Sequence, residues 1–316
     1  MRKTLTLLAL LNAPLFLIAE PGLNLEARTG ITFAQFDEEL YYSNDSSLCS
    51  LLEWKEQLLY TLALKTSLET DSFYAAGDFS FSSNIISSQM RDSDFLKDGT
   101  KFSYTIHDAE CYALNASLSA GIKLTRSSFT VIPAVKAEYS YDSFTGGQGR
   151  GWKGDPNDLW PNDGLYHPWD SPEAHYLPDG KNHINGVDYA LHSVNIFAGL
   201  AIRKSFLSGV TVSAQVYVSP FSYHFAEDTH KNSHGGSIYH DVFYGAFDSL
   251  EYEASILCPL TQKLVITAGI KGFHILHKKG KAFMWFDEES RDIPLGQKAG
   301  IKAIKHTVYT GIKYSL

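Results

Sequence analysis

Residues Tyr112 to Leu124 read YALNASLSAGIKL, and their alternation decides the fold. Tyr112, Leu114, Ala116, Leu118, Ala120, Ile122 and Leu124 fall on one parity, while Ala113, Asn115, Ser117, Ser119, Gly121 and Lys123 fall on the other. A period of two is the signature of a β-strand with unlike faces. Here one face is apolar, and the other is built of small polar groups and a lysine. A lipid-facing wall around a wet interior has that pattern. Leu58 to Glu69 repeats it, with Leu58, Tyr60, Leu62, Leu64 and Leu68 set against Thr61, Ala63, Lys65, Ser67 and Glu69. Val210 to Val218 and Leu264 to Gly272 do the same.

Extending the pattern predicts strands at 23–38, 51–69, 72–86, 104–124, 128–145, 188–205, 209–226, 241–258, 262–278 and 299–316. The connections near residues 70, 126, 207 and 260 are short. Those at 39–50, 87–103, 146–187, 227–240 and 279–298 are long. Short turns at one end and long loops at the other are the layout of an outer-membrane barrel. The expected fold is therefore all-β: a ten-stranded antiparallel transmembrane β-barrel with long extracellular loops and short periplasmic turns. Several strands exceed the 9–11 residues that cross a bilayer, so the barrel should project on the long-loop side. In the seventh strand, Val210, Val212, Ala214, Val216 and Val218 share a parity that, continued strictly, would turn Asp228 and His230 outward. Pro220 cannot donate a ladder hydrogen bond, so one extra residue is expected between about Ser219 and Glu227.

Composition agrees. Tyr 18 and Phe 19 accompany a negative mean hydropathy, as strands with one greasy and one wet face require. Residues 1–19, with Arg2 and Lys3 ahead of TLTLLALLNAPLFLIA, read as a secretory signal peptide cleaved after Ala19, and residues 20–316 as a single barrel domain. A net charge of −8 without a basic block argues against nucleic acid as a partner. Cys49, Cys111 and Cys258 have no metal-ligand spacing, and Cys49 and Cys258 lie near opposite ends of the barrel. His224, His230, His234 and His240 show no strand or helix spacing that fixes a zinc ion. DPNDLWPNDG in the 146–187 loop departs from a calcium-loop pattern in its acid spacing and glycine placement. No metal and no cofactor is expected.

Chemistry concentrates at the long-loop end. SSQMRDSDFLKDG, Ser87 to Gly99, sets Asp92 and Asp94 two apart, with a parity that aims both inward. FAEDTH places Asp228 and His230 two apart, hence on one face. An aspartate beside a histidine fixes its tautomer and raises its basicity. A second acid pair across a groove then supplies the means to hold and deprotonate a water.

The order of these motifs resembles that of the omptins, outer-membrane endopeptidases of ten antiparallel strands. The resemblance runs patchily from about Gly22 to Leu316 through LEWK at Leu52 to Lys55, QMRDSDF at Gln89 to Phe95, YSYDSFTGG at Tyr139 to Gly147, EDTH at Glu227 to His230, and the final strand. It implies that Asp92, Asp94, Asp228 and His230 are catalytic, that Met90 lines the groove, and that the substrates are peptides or proteins cut on the extracellular side. Of the family's two deep acids for a basic residue at the cleaved position, one aligns with Glu38. The other falls on Ala226, where neighbouring Glu227 is the expected substitute. Tyr141 stands where an arginine holds lipopolysaccharide in several omptins, so outer-membrane lipid is an expected partner but lipopolysaccharide dependence is not. The competing expectation is a non-catalytic barrel that binds through its loops as an adhesin or scaffold. A porin is disfavoured, because a ten-stranded barrel is mostly filled by its own side chains.

Overall fold

The computed structural model describes residues 22–43, 47–155, 164–178, 186–231, 237–286 and 291–316. The signal-peptide expectation and most of DPNDLWPNDG lie outside them. The described chain is all strand, closed into a ring of ten antiparallel strands. In chain order they are Gly22–Tyr41, Leu48–Glu69, Phe73–Asn84 continued by Ser88–Phe95, Lys101–Ile122, Phe129–Lys153, Val187–Ser205, Thr211–His230, Ser237–Gly245 with Ser249–Pro259, Leu264–Lys279 with Lys281–Phe286, and Arg291–Pro294 with Lys298–Ser315. The tenth strand pairs with the first from Asn24↔Ser315 to Tyr41↔Lys298, which leaves no free edge. Two short pieces, Leu124–Arg126 and His175–Leu177, attach to the ends of the fifth strand.

Alternation behaves as the sequence predicts. Leu62, Leu64, Phe79, Phe81, Leu118, Val135, Ile196, Val216, Ile270, Val308 and Ile312 are exposed on the outer wall, a continuous apolar band of the kind that lipid covers. The first strand has 20 residues. At about 3.3 Å per residue and a tilt near 45°, such a strand rises about 47 Å, against a hydrocarbon core of about 30 Å. The barrel therefore projects well beyond the membrane. Part of each segment expected as a long loop is this projecting wall: Ser88–Phe95, Gly146–Lys153, Glu227–His230 and Lys281–Phe286 are paired strand. Loop signals in composition mislead here because polar residues on a strand standing in water carry no apolar alternation.

Turns at the other end are tight. Between the sixth and seventh strands, Phe206 N–H donates to Val210 and Gly209 N–H donates to Phe206, with Gly209 at φ +83°, a conformation that disfavours any side chain.

Three register shifts govern what faces the lumen at the long-loop end. In the seventh strand the pairing passes from Val218↔Ala198 to Phe221↔Ile196, which inserts one residue at Ser219–Pro220. Inward positions switch there from Tyr217 and Ser219 to Ser222, His224, Ala226 and Asp228. The expected bulge is present, and it turns Asp228 and His230 inward. In the second strand an extra residue, marked by Glu56 at φ 57°, moves the inward face from Gln57 and Leu59 to Trp54 and Leu52. In the fifth strand the pairing passes from Ala109↔Gly146 to His107↔Gly149, so Gly149, Gly151 and Lys153 take over the inward face from Phe144.

Candidate active site

A floor of aromatic rings closes the lumen below the rim. Phe36 meets Phe144 edge-on with centroids 4.5 Å apart, Trp54 lies 5.0 Å from Phe144, and Tyr189 stacks on Trp54 at 6.3 Å. All four rings are buried. Above the floor, inward positions of five strands bring together Glu38, Asp92, Asp94, Lys153, Asp228, His230 and Asp241.

Asp92 and Asp94 stand on the upper third strand, opposite Leu52 and Ser50 on one side and Thr105 and Ser103 on the other. Burial, then the charge of Asp94, pushes the Asp92 pKa up to about 7, while His230 and Lys153 pull against that rise. Burial also raises Asp94; the Lys153 charge and hydrogen bonds from Ser50 and Ser103 oppose it.

Facing them, Asp228 and His230 stand on the seventh strand beyond its bulge. His230 Nε2–H donates to Asp228 Oδ2 at 2.7 Å, which leaves Nδ1 to carry the lone pair of the neutral ring. The Asp228 side chain is 8% exposed and that of His230 40%, so the imidazole reaches the groove and its partner does not. Tyr239 holds the ring edge-on at 5.5 Å. Burial lowers the His230 pKa, but the hydrogen bond and charge of Asp228, with Asp92 and Asp94, push it up to about 9. The two acids across the groove thus act on His230, and His230 acts on them. The pairs titrate as one unit.

A third cluster was not visible in the sequence. Asp241, on the eighth strand, lies directly opposite Ala226 and forms a hydrogen bond with Glu38 of the first strand. Both side chains are buried. Burial and the charge of Asp228 push Asp241 up to about 8; burial, with Asp228 and then Asp241, raises Glu38 well above the usual carboxylate range. Two carboxyls in contact retain a proton between them at neutral pH. The buried Tyr189 hydroxyl, without a hydrogen-bond partner among the described residues, faces the same acids. Asp241 therefore places a carboxyl directly beside Ala226, which has none. The sequence signal was the inward row Tyr239, Asp241, Phe243, an acid between two aromatics.

Two expected site residues move. Glu227 faces outward, half exposed, with its carboxylate 3.6 Å from His240 on the outer wall; alternation forbids it the face of Asp228. Met90 points inward but is fully buried, its sulfur directly against Gly146, so it packs below the groove rather than lining it. Lys153 was not anticipated, because only the Gly146–Gly149 register shift turns it inward. Among the described residues no cluster of His, Cys, Asp and Glu has the arrangement of a metal site, and all three cysteines are free.

No family model and no curated protein sequence matches the chain. Among solved structures it is similar to the outer membrane protease OmpT from Escherichia coli, with a TM-score of 0.75 and 16% identity over 95% of this chain and 99% of that one. The shared feature is the fold. Two further outer-membrane proteins overlap much less well: the Pseudomonas putida toluene transporter TodX (TM-score 0.34, 8% identity, 94% and 91% coverage) and OprG from Pseudomonas aeruginosa (0.33, 9%, 94% and 98%).

Proposed function

We propose that this chain is an outer-membrane endopeptidase whose groove opens on the extracellular side and hydrolyses peptide bonds next to basic residues. The observation that carries the reading is the inward convergence of the Asp228–His230 dyad on the Asp92–Asp94 pair, each raising or lowering the other's proton affinity across one groove. The fold shared with OmpT supports it.

In this reading a water sits between His230 Nδ1 and Asp92. His230 accepts its proton as the oxygen attacks the peptide carbonyl carbon. Asp228, already bonded to Nε2–H, stabilises the imidazolium. Asp94, hydrogen-bonded by Ser50 and Ser103, orients Asp92. The proton then passes from His230 to the departing amine as the C–N bond breaks, and no covalent enzyme intermediate forms. Productive enzyme needs Asp92 ionised and His230 neutral, so activity falls as pH drops through about 7 and continues to rise toward about 9.

The Glu38–Asp241 pair explains a basic preference despite Ala226. Arginine or lysine entering the pocket displaces the shared proton and pairs with both carboxylates. Tyr141 on the outer wall, in contact with Tyr112 and His192, fits a barrel that works without lipopolysaccharide.

The test is cleavage of a mixed peptide library by refolded barrel, with and without lipopolysaccharide, beside His230→Ala and Asp92→Ala. Cleavage after Arg or Lys that both variants lose, while retaining folded-barrel mobility, supports the reading. A folded wild-type barrel that cuts nothing in either condition overturns it in favour of a binding scaffold.

A further inference from the structure

The groove has unlike ends. Glu38, Asp228 and Asp241 crowd the side formed by the first, seventh and eighth strands. On the opposite side, formed by the fourth to sixth strands, Lys153 is the first inward side chain on the fifth strand above Phe144 larger than a glycine. Gly146, Gly149 and Gly151 occupy the inward positions between. A Cβ at Gly149 would collide with the His107 ring and one at Gly151 with the Tyr104–Thr105 backbone, so these glycines let the fourth strand lie close against the fifth below Lys153. Lys153 pairs with Ser103, which pairs in turn with Asp94, and with His175 on its other side. Its charge reaches Asp92, Asp94 and His107.

A peptide lying between the third and seventh strands, with its basic residue in the Glu38–Asp241 pocket, must send the residues after the cut bond toward Lys153. Resting on the endopeptidase reading, we infer that Lys153 is a specificity-determining residue that selects an acidic side chain in the first two positions after the cleaved bond. The substrate class is then polypeptides in which a basic residue is followed closely by Asp or Glu. A second basic residue there meets the ammonium in a partly desolvated groove and is disfavoured.

The experiment measures kcat/KM on peptides with Arg before the bond and Glu, Gln or Lys at each of the next two positions. The enzymes are wild type, Lys153→Arg, Lys153→Gln and Lys153→Glu. Ratios within each enzyme cancel any general loss of activity. Wild type and Lys153→Arg should cut the Glu peptides about tenfold faster than the Lys peptides, Lys153→Gln should flatten the ratio, and Lys153→Glu should invert it. An unchanged ratio in Lys153→Glu, with cleavage after Arg retained, overturns the role of Lys153 and leaves the protease intact. Absence of cleavage by folded wild type on every peptide overturns the endopeptidase reading and this inference with it.

Discussion

The middle of the lumen and its rim both bury charge, and they treat it in opposite ways. At mid-barrel Arg28 lies 2.8 Å from Glu26 and 3.1 Å from Glu253, Lys136 bridges Glu138 at 2.7 Å and Glu251 at 2.6 Å, and Lys271 reaches Glu251 at 3.2 Å. Each of these charges has an opposite neighbour, and the network ties strands together across the lumen. At the rim five carboxyls, Glu38, Asp92, Asp94, Asp228 and Asp241, share one groove with only His230 and Lys153 among them, so acids meet acids. Such crowding costs stability, and proteins retain it where shifted proton affinities are used. The barrel is held by the first region, and in the proposed reading chemistry falls to the second.

The contrast breaks most visibly through activity. His230→Ala or Asp92→Asn should lower kcat by about 10²–10⁴-fold without changing folded-barrel mobility, whereas Glu251→Gln should lower activity only as far as it loosens the fold. Next in size is stability. Glu251→Gln takes from Lys271 the carboxylate at 3.2 Å and leaves Lys136 with Glu138, and should cost about 3–5 kcal/mol in denaturant unfolding.

Asp241→Asn should behave oppositely. Because burial raises the Asp241 carboxyl to about 8, its favourable contribution is present below the unfolded carboxylate range and is lost as pH rises to about 8. The wild-type unfolding midpoint should therefore fall between pH 5 and pH 9, and that of Asp241→Asn should fall less. The same change should reduce kcat/KM for Arg substrates about 10–100-fold, and adding Ala226→Asp should restore most of it. The smallest effect is in the pH dependence of binding. Affinity for an arginine-like ligand should rise from pH 6 to pH 9 with release of about one proton per ligand, and Glu38→Gln should abolish that release; calorimetry in buffers of different ionisation enthalpy reads both.

Ten strands were legible because alternation is a local property written into each segment, as in Tyr112 to Leu124. The bulge at Ser219–Pro220 was legible for a sharper reason: the parity of Val210 to Val218 and the inward demand of Asp228 and His230 conflict, and Pro220 offers the place to resolve it. The glycine bulge at Gly146 raised no such conflict, so Lys153 went unseen. Glu227 is adjacent in sequence to Ala226, yet adjacency on a strand places it on the opposite face.

By itself, then, the sequence determined the strand count, the apolar wall and the inward direction of two acid-bearing pairs, since each depends on residues two apart along one strand. Only the tertiary structure decided which strands face one another across the lumen. Closure of the ring set Asp92 and Asp94 before His230, and brought Asp241 into contact with Glu38, more than two hundred residues away. That pairing is a consequence of register and closure, which no periodicity within a single strand encodes.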